Sequence, residues 1–133
     1  MPISYKINTT TQRVFTQATG FVTALEIIDH FEVARREGFL PYSELIDASS
    51  IVKPTLSVAE LWKTAMALRN LKCEGNFGSR AVWVANDTIY VLTHMFASLM
   101  SGYIRMGVFH DRIAAEAWLN KKSGGRLSSL DCG

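Results

Sequence analysis

The chain is 133 residues long, 48% apolar, 11% aromatic and 20% charged. This composition excludes intrinsic disorder, and the length suits one domain of about 100 to 150 residues. The 14 Lys and Arg exceed the 12 Asp and Glu by only two, and Lys121, Lys122, Arg126 and Asp131 carry that excess, so residues 1–119 are neutral.

The opening alternates Ile3, Tyr5 and Ile7 with Ser4, Lys6 and Asn8, the period of a half-buried strand. Thr9-Thr10-Thr11 is a turn, and a second strand from Gln12 to Thr19 pairs back as a hairpin that ends at Gly20. Thr23-Ala24-Leu25-Glu26 has the form of a capping box. The first helix follows, with Ala24, Ile27, Ile28, Phe31 and Ala34 on its inner stripe and His30 on its polar side. Gly38 closes it and Pro41 follows.

Ser43 to Ala48 is a third strand, and a polar loop leads to a second capping box, Ser57-Val58-Ala59-Glu60. Val58, Leu61, Trp62, Ala65 and Leu68 line the second helix, which Cys73 and Gly75 close. Ala81 to Ala85 is a continuous apolar run, as expected of a central strand covered on both faces. Asn86 or Asp87 caps a third helix through Ser101, with Gly102 after it, and Tyr103 to Phe109 is a fifth strand. Asp111 caps a fourth helix with Ile113, Ala114, Ala117 and Trp118 inward. Ser123-Gly124-Gly125 breaks it, so residues 1–121 form the domain and 122–133 a flexible tail.

The order β-β-α-β-α-β-α-β-α predicts a single α/β domain, with a mixed, mostly parallel five-stranded sheet and four helices. The first strand lies at an antiparallel edge. No stretch approaches the roughly 18 apolar residues of a membrane span: the longest, Ile89 to Met100, contains Thr93, His94 and Ser98. The opening Met-Pro-Ile-Ser-Tyr-Lys lacks the layout of a signal peptide, so a cytoplasmic location is expected.

This element order, with Ile46-Asp47-Ala48-Ser49 on the third strand, resembles the STAS fold of anti-sigma-factor antagonists. It is more similar to the small bacterial STAS-like proteins, whose fold is related to CRAL-TRIO lipid carriers. Val82-Trp83-Val84-Ala85, the helix containing Phe96, Val108-Phe109-His110-Asp111 and Ala115-Glu116-Ala117-Trp118-Leu119 carry the resemblance further. It implies a non-enzymatic protein-interaction module, or alternatively a carrier of a small apolar ligand. The family's phosphoswitch is an Asp-Ser-Ser-Gly group at the helix after the third strand. Thr55-Leu56-Ser57-Val58 stands there, keeping one serine and lacking the Asp and Gly.

Three sets of residues are candidate sites. Ser49, Ser50, Lys53 and Ser57 could bind an anion or accept a phosphate near a helix N-terminus. Asp47, Asn86 and Asp87 follow the third and fourth strands, where open α/β sheets bind ligands. In the alternative reading Ser57 and Asp87 are N-caps, worth about 1 kcal/mol each. The third helix turns Ile89, Leu92, Phe96 and Leu99 to the sheet, which leaves Tyr90, His94, Met95 and Met100, with Tyr103 and Met106 just beyond. Those six residues suit a homodimer contact, another protein partner or an apolar-ligand groove, unless neighbouring elements cover them.

No catalytic set, cofactor or metal site is implied. Cys73 and Cys132 stand 59 positions apart, and no two histidines share a ligand spacing. The only adjacent basic pairs, Arg35-Arg36 and Lys121-Lys122, form no patch of the kind that binds nucleic acid.

Overall fold

Ile3, Tyr5 and Ile7 lie on one side of a six-residue strand, β1 (Ile3–Asn8), but only Ile3 is half-buried; Tyr5 and Ile7 are 37% and 38% exposed, because this edge strand is covered less than its alternation predicts. A computed structural model of the chain describes residues 3–71 and 77–122. The expected end of the second helix at Cys73 and Gly75, and the segment beyond Lys122, lie outside the described residues. The Asn8 side chain accepts hydrogen bonds from the Thr10 and Thr11 N–H groups and so forms the turn. β2 (Arg13–Ala18) then returns antiparallel to β1.

The elements that follow are α1 (Ala24–Glu37), β3 (Ser43–Ala48), α2 (Val58–Leu71), β4 (Arg80–Val84), α3 (Asp87–Leu99), β5 (Met106–Phe109) and α4 (Arg112–Lys122). The five strands lie in sequential order, β2 to β5 parallel and β1 antiparallel at the edge. Each crossover therefore steps to the next strand in the same direction. Right-handed crossovers taken in one direction place every connecting helix on the same side of a sheet. Accordingly α1, α2 and α3 share one core cluster with Val14. The last helix has no strand to return to, and it covers the opposite face at Leu45 and Ala81.

Both capped ends form as the residues require. Thr23 and Glu26 make the reciprocal capping box of α1, and Gly38 closes the helix with φ +86°, a conformation glycine adopts without strain. Asn86, rather than Asp87, caps α3, its side-chain oxygen accepting the Ile89 N–H. The fifth strand begins three residues later than its apolar pattern predicts. The Tyr103 and Ile104 N–H groups bond back to the Met100 carbonyl and are lost to the sheet.

Two expected helix stripes are rotated. In α4 the buried residues are Ala115 and Leu119, with Trp118 half-buried, whereas Ile113 is 76% exposed and Ala114 and Ala117 also face outward. Both stripes satisfy a 3.6-residue period and share Trp118, and the sheet selects the one that packs Ala115 and Leu119 against Leu45 and Ala81, with Trp118 beside Phe109 (centroids 5.7 Å apart). In α2, Leu61, Ala65 and Leu68 are buried with Thr64 and Leu71, while Val58 and Trp62 are exposed.

A buried polar cluster beside an apolar cavity

Period-two alternation divides the sheet between its two helical layers. Val14, Thr16 and Ala18 of β2 are buried toward α1–α3, and the register aligns them with Glu44, Ile46 and, beyond, Arg80 and Val82. The first inward position of each of two adjacent parallel strands is thus a charged residue, Glu44 on β3 and Arg80 on β4. Both are about 1% exposed.

These charges are fully engaged. Arg80 Nε donates to Glu44 Oε1 at 3.1 Å, and Nη1 donates to the carbonyls of Leu40 (3.1 Å), Tyr42 (3.0 Å) and Gly78 (2.7 Å). Its guanidinium lies over Phe31 and Phe77, 5.4 and 5.9 Å from their ring centroids. The other Glu44 oxygen accepts from the Thr16 hydroxyl and from His30 Nε2, the latter at 2.6 Å. Burial pushes the Glu44 carboxyl up. The His30 hydrogen bond, the Arg80 charge and the Thr16 hydroxyl outweigh burial and hold it at about 2. Burial likewise lowers Arg80, and Glu44 opposes that. The pair is therefore ionised at neutral pH.

His30 corrects the polar-side expectation for the first helix. It is 9% exposed and shares its stripe with Ile27, Phe31 and Ala34. Apolarity alone cannot place a histidine there, because its partner is a carboxylate on another element.

Beside this cluster, between α1–α3 and the sheet, lies a cavity of about 180 Å³. Its walls are mostly aliphatic and aromatic, including Ile27, Phe31, Ile46, Leu61, Val82, Ile89, Leu92, Phe96 and Met106. Polar side chains enter at few points: Thr16 and His30 from the β2 and α1 side, Thr93 from α3, and Lys53 and Thr55 from the loop after β3. The Thr55 hydroxyl donates to the Val22 carbonyl and ties that loop to the one after β2. Asn86 Nδ2 ties it to the end of β4 through the Val52 carbonyl at 3.0 Å. The cavity thus extends to the carboxyl ends of the parallel strands, where sheets of this class bind ligands. Trp83 does not fill it, because its register partners Asp47 and Phe109 put it on the α4 face.

The three predicted sets of site residues fare differently. Of the anion set, only Lys53 borders the cavity. Ser57 caps α2: its hydroxyl accepts from the Glu60 N–H, and Glu60 accepts from the Ser57 N–H. The helix N-terminus that would attract an anion already holds a carboxylate. Ser49 donates to Asp47 at 2.6 Å, and Ser50 is exposed. Of the strand-end set, none lines the cavity. Asp47 has the parity of Leu45 and belongs to the other face, Asn86 caps α3, and exposed Asp87 lies 3.8 Å from His110.

The third-helix set is dispersed. Met100 is completely buried in the core, and Met106 borders the cavity. Tyr90 stacks on His110 with centroids 4.4 Å apart, and Tyr103 lies under the Arg69 guanidinium. His94 and Met95 remain exposed. Thr16, His30, Glu44 and Arg80 are absent from the sequence-based sets. The detectable signal was positional: Glu44 alternates in step with Ile46 and Ala48, as Arg80 does with Val82 and Val84.

Among the described residues no group of three or more His, Cys, Asp or Glu side chains could hold a metal, and no helix is long and apolar enough to cross a membrane. Compared with known proteins, the chain matches no family model, no curated protein and no solved structure.

Proposed function

We propose that the protein is a non-enzymatic binding module that holds a small apolar ligand between its three-helix layer and its sheet. The cavity is the observation that carries this reading. The pocket is open to solvent, and an apolar occupant would withdraw its aliphatic and aromatic walls from water, the main favourable term in apolar binding. Volume limits the ligand: a cavity of about 150 Å³ takes a benzene ring, and drug-sized ligands use about 300–1,000 Å³. A single ring or short chain fits, and a long acyl chain does not.

Toluene tests the reading. It should raise the thermal midpoint saturably and shift the amide signals of Ile46, Val82 and Phe96. Ala48→Leu, which extends a cavity-lining side chain, should abolish both effects. Absence of saturable shifts in the native protein would refute the proposal.

A second reading, self-association through α3, is supported by one observation. Val91 and Met95 are 58% and 36% exposed and stand four residues apart on one helical face. It accords with the protein-interaction role that the STAS-like resemblance implies, a resemblance resting on the element order observed. A concentration-dependent mass in sedimentation equilibrium, abolished by Met95→Glu, would support it. A monomer up to about millimolar concentration would exclude it.

A further inference from the structure

We infer that the ligand of this cavity is a small carboxylic acid, its ring or short chain inside and its carboxylate at the opening beside Lys53; this rests on the binding function proposed above. Among the described residues that line the cavity only His30 and Lys53 are ionisable, and none is Asp or Glu. His30 is bonded to Glu44, so its partner is supplied from within the fold. Lys53 differs. It lines the cavity and yet is exposed, which puts it at the opening, and it makes no hydrogen bond or ion pair with any described residue. The chain around it is held in place. The Val52 carbonyl accepts from Asn86 Nδ2 at 3.0 Å, and the Thr55 hydroxyl donates to the Val22 carbonyl, so the loop is tied to its neighbours on both sides of Lys53.

A ligand bound here meets two environments. The walls are aliphatic and aromatic, and a carboxylate placed among them would give up its hydration without replacement. At the opening it keeps part of that hydration and gains an ammonium group with three donors. No acidic side chain in the lining competes for that group. A neutral apolar ligand leaves Lys53 unused, and a cationic amine meets like charge with no carboxylate to offset it. A phosphate ester fits less well than a carboxylate, because a dianion is held best by an Arg fork or by several backbone N–H groups. The helix N-terminus that follows in the chain, that of α2, offers no such groups: the Ser57 hydroxyl takes the Glu60 N–H, and the Glu60 carboxylate takes the Ser57 N–H. One cation beside an apolar volume for a single ring therefore specifies a monoanion, an aromatic or short-chain carboxylate.

Phenylacetate, its neutral isostere phenylacetamide and toluene share one ring and separate the apolar contribution from the charge. Calorimetric titration of the native protein at low ionic strength should show phenylacetate binding about two- to fivefold tighter than the amide, the range of a solvent-exposed ion pair. A salt series gives a reading that needs no variant. At about 1 M, where screening acts within about 3 Å, the ratio of acid to amide should fall close to one. Lys53→Met, which keeps the apolar stem, should remove the preference. Lys53→Arg should retain it, and Lys53→Glu should reverse it. An amide that binds as tightly as the acid, a preference that persists at high salt, or one that survives Lys53→Met would each overturn the inference and leave the cavity's binding function standing. Failure of all three compounds to bind would instead refute the function on which it rests.

Discussion

Replacing Arg80 with methionine removes the guanidinium while keeping a long side chain against Phe31 and Phe77. Its four hydrogen bonds disappear: one to Glu44 and three to the carbonyls of Leu40, Tyr42 and Gly78. Breaking a buried ion pair from one side costs about 3–5 kcal/mol, because the remaining charge stays buried without its partner. The Leu40 carbonyl still accepts the Gly78 N–H, so the carbonyl losses fall mainly on Tyr42 and Gly78 and add about 1 kcal/mol each. The total, about 5–7 kcal/mol, rivals the whole stability of many domains. At a slope of about 2 kcal/mol per molar urea, the unfolding midpoint at pH 7 should fall by about 3 M or unfold the chain outright. Trp62, Trp83 and Trp118 report the transition by fluorescence. Adding Glu44→Leu to Arg80→Met removes the stranded carboxylate and should restore at least about 2 kcal/mol, since a buried pair exchanged whole for apolar residues is often tolerated. A loss below about 1 kcal/mol in the single variant, or no recovery in the double, would refute this account of the cluster.

Acid should act through the same carboxylate. Glu44 is held at about 2 in the folded chain against 4.5 for the free group, so its contribution of about 3 kcal/mol is complete above pH 4.5 and is lost as pH falls toward 2. Glu44→Gln should flatten the stability profile in that window; identical profiles for both proteins would contradict the assignment. Gly78→Ala should cost well over 2 kcal/mol, because a Cβ there would sit 2.2 Å from the Tyr42 carbonyl oxygen, a backbone atom. Gly107→Ala meets side chains rather than backbone, the Phe109 ring at 2.7 Å and Trp118 at 3.2 Å, and should cost less; thermal melts that reversed the order would show the backbone packing to be looser than described. Asn86→Ala should remove the α3 cap and about 1 kcal/mol, whereas Asp87→Ala should change stability little, and equal losses in urea unfolding would count against Asn86 as the cap.

Much of the fold was legible because it depends on local pattern. Thr23 with Glu26, Ser57 with Glu60 and Gly38 announce helix ends through bonds made within a few residues. The alternation of Ile3, Tyr5 and Ile7 and the apolar run at Ala81–Val84 announce an edge strand and a central one. Helix rotation was less legible. Ile113 and Ala115 belong to stripes that both repeat at helical spacing, and only contact with Leu45, Ala81 and Phe109 distinguishes them.

The candidate site was the least legible. Ser49, Ser57, Asp47 and Asp87 attracted notice because small polar residues at strand and helix ends can bind ligands, yet they serve as caps and turns or lie on the surface. His30 and Glu44 stand 14 residues apart on different elements, and only the packed fold brings their side chains together.

Element order, the edge hairpin and the helix ends thus belong to the sequence, since periodicity and capping act over a few residues at a time. The one-sided layer of three helices follows almost as directly, because sequential strands joined by right-handed crossovers permit nothing else. The pairing of Glu44 with Arg80 and His30, and the cavity beside them, arise from the packed chain. Charges on the inward side of a strand are costly until other elements supply partners. A void is a property of the fit between layers, and no single segment encodes it.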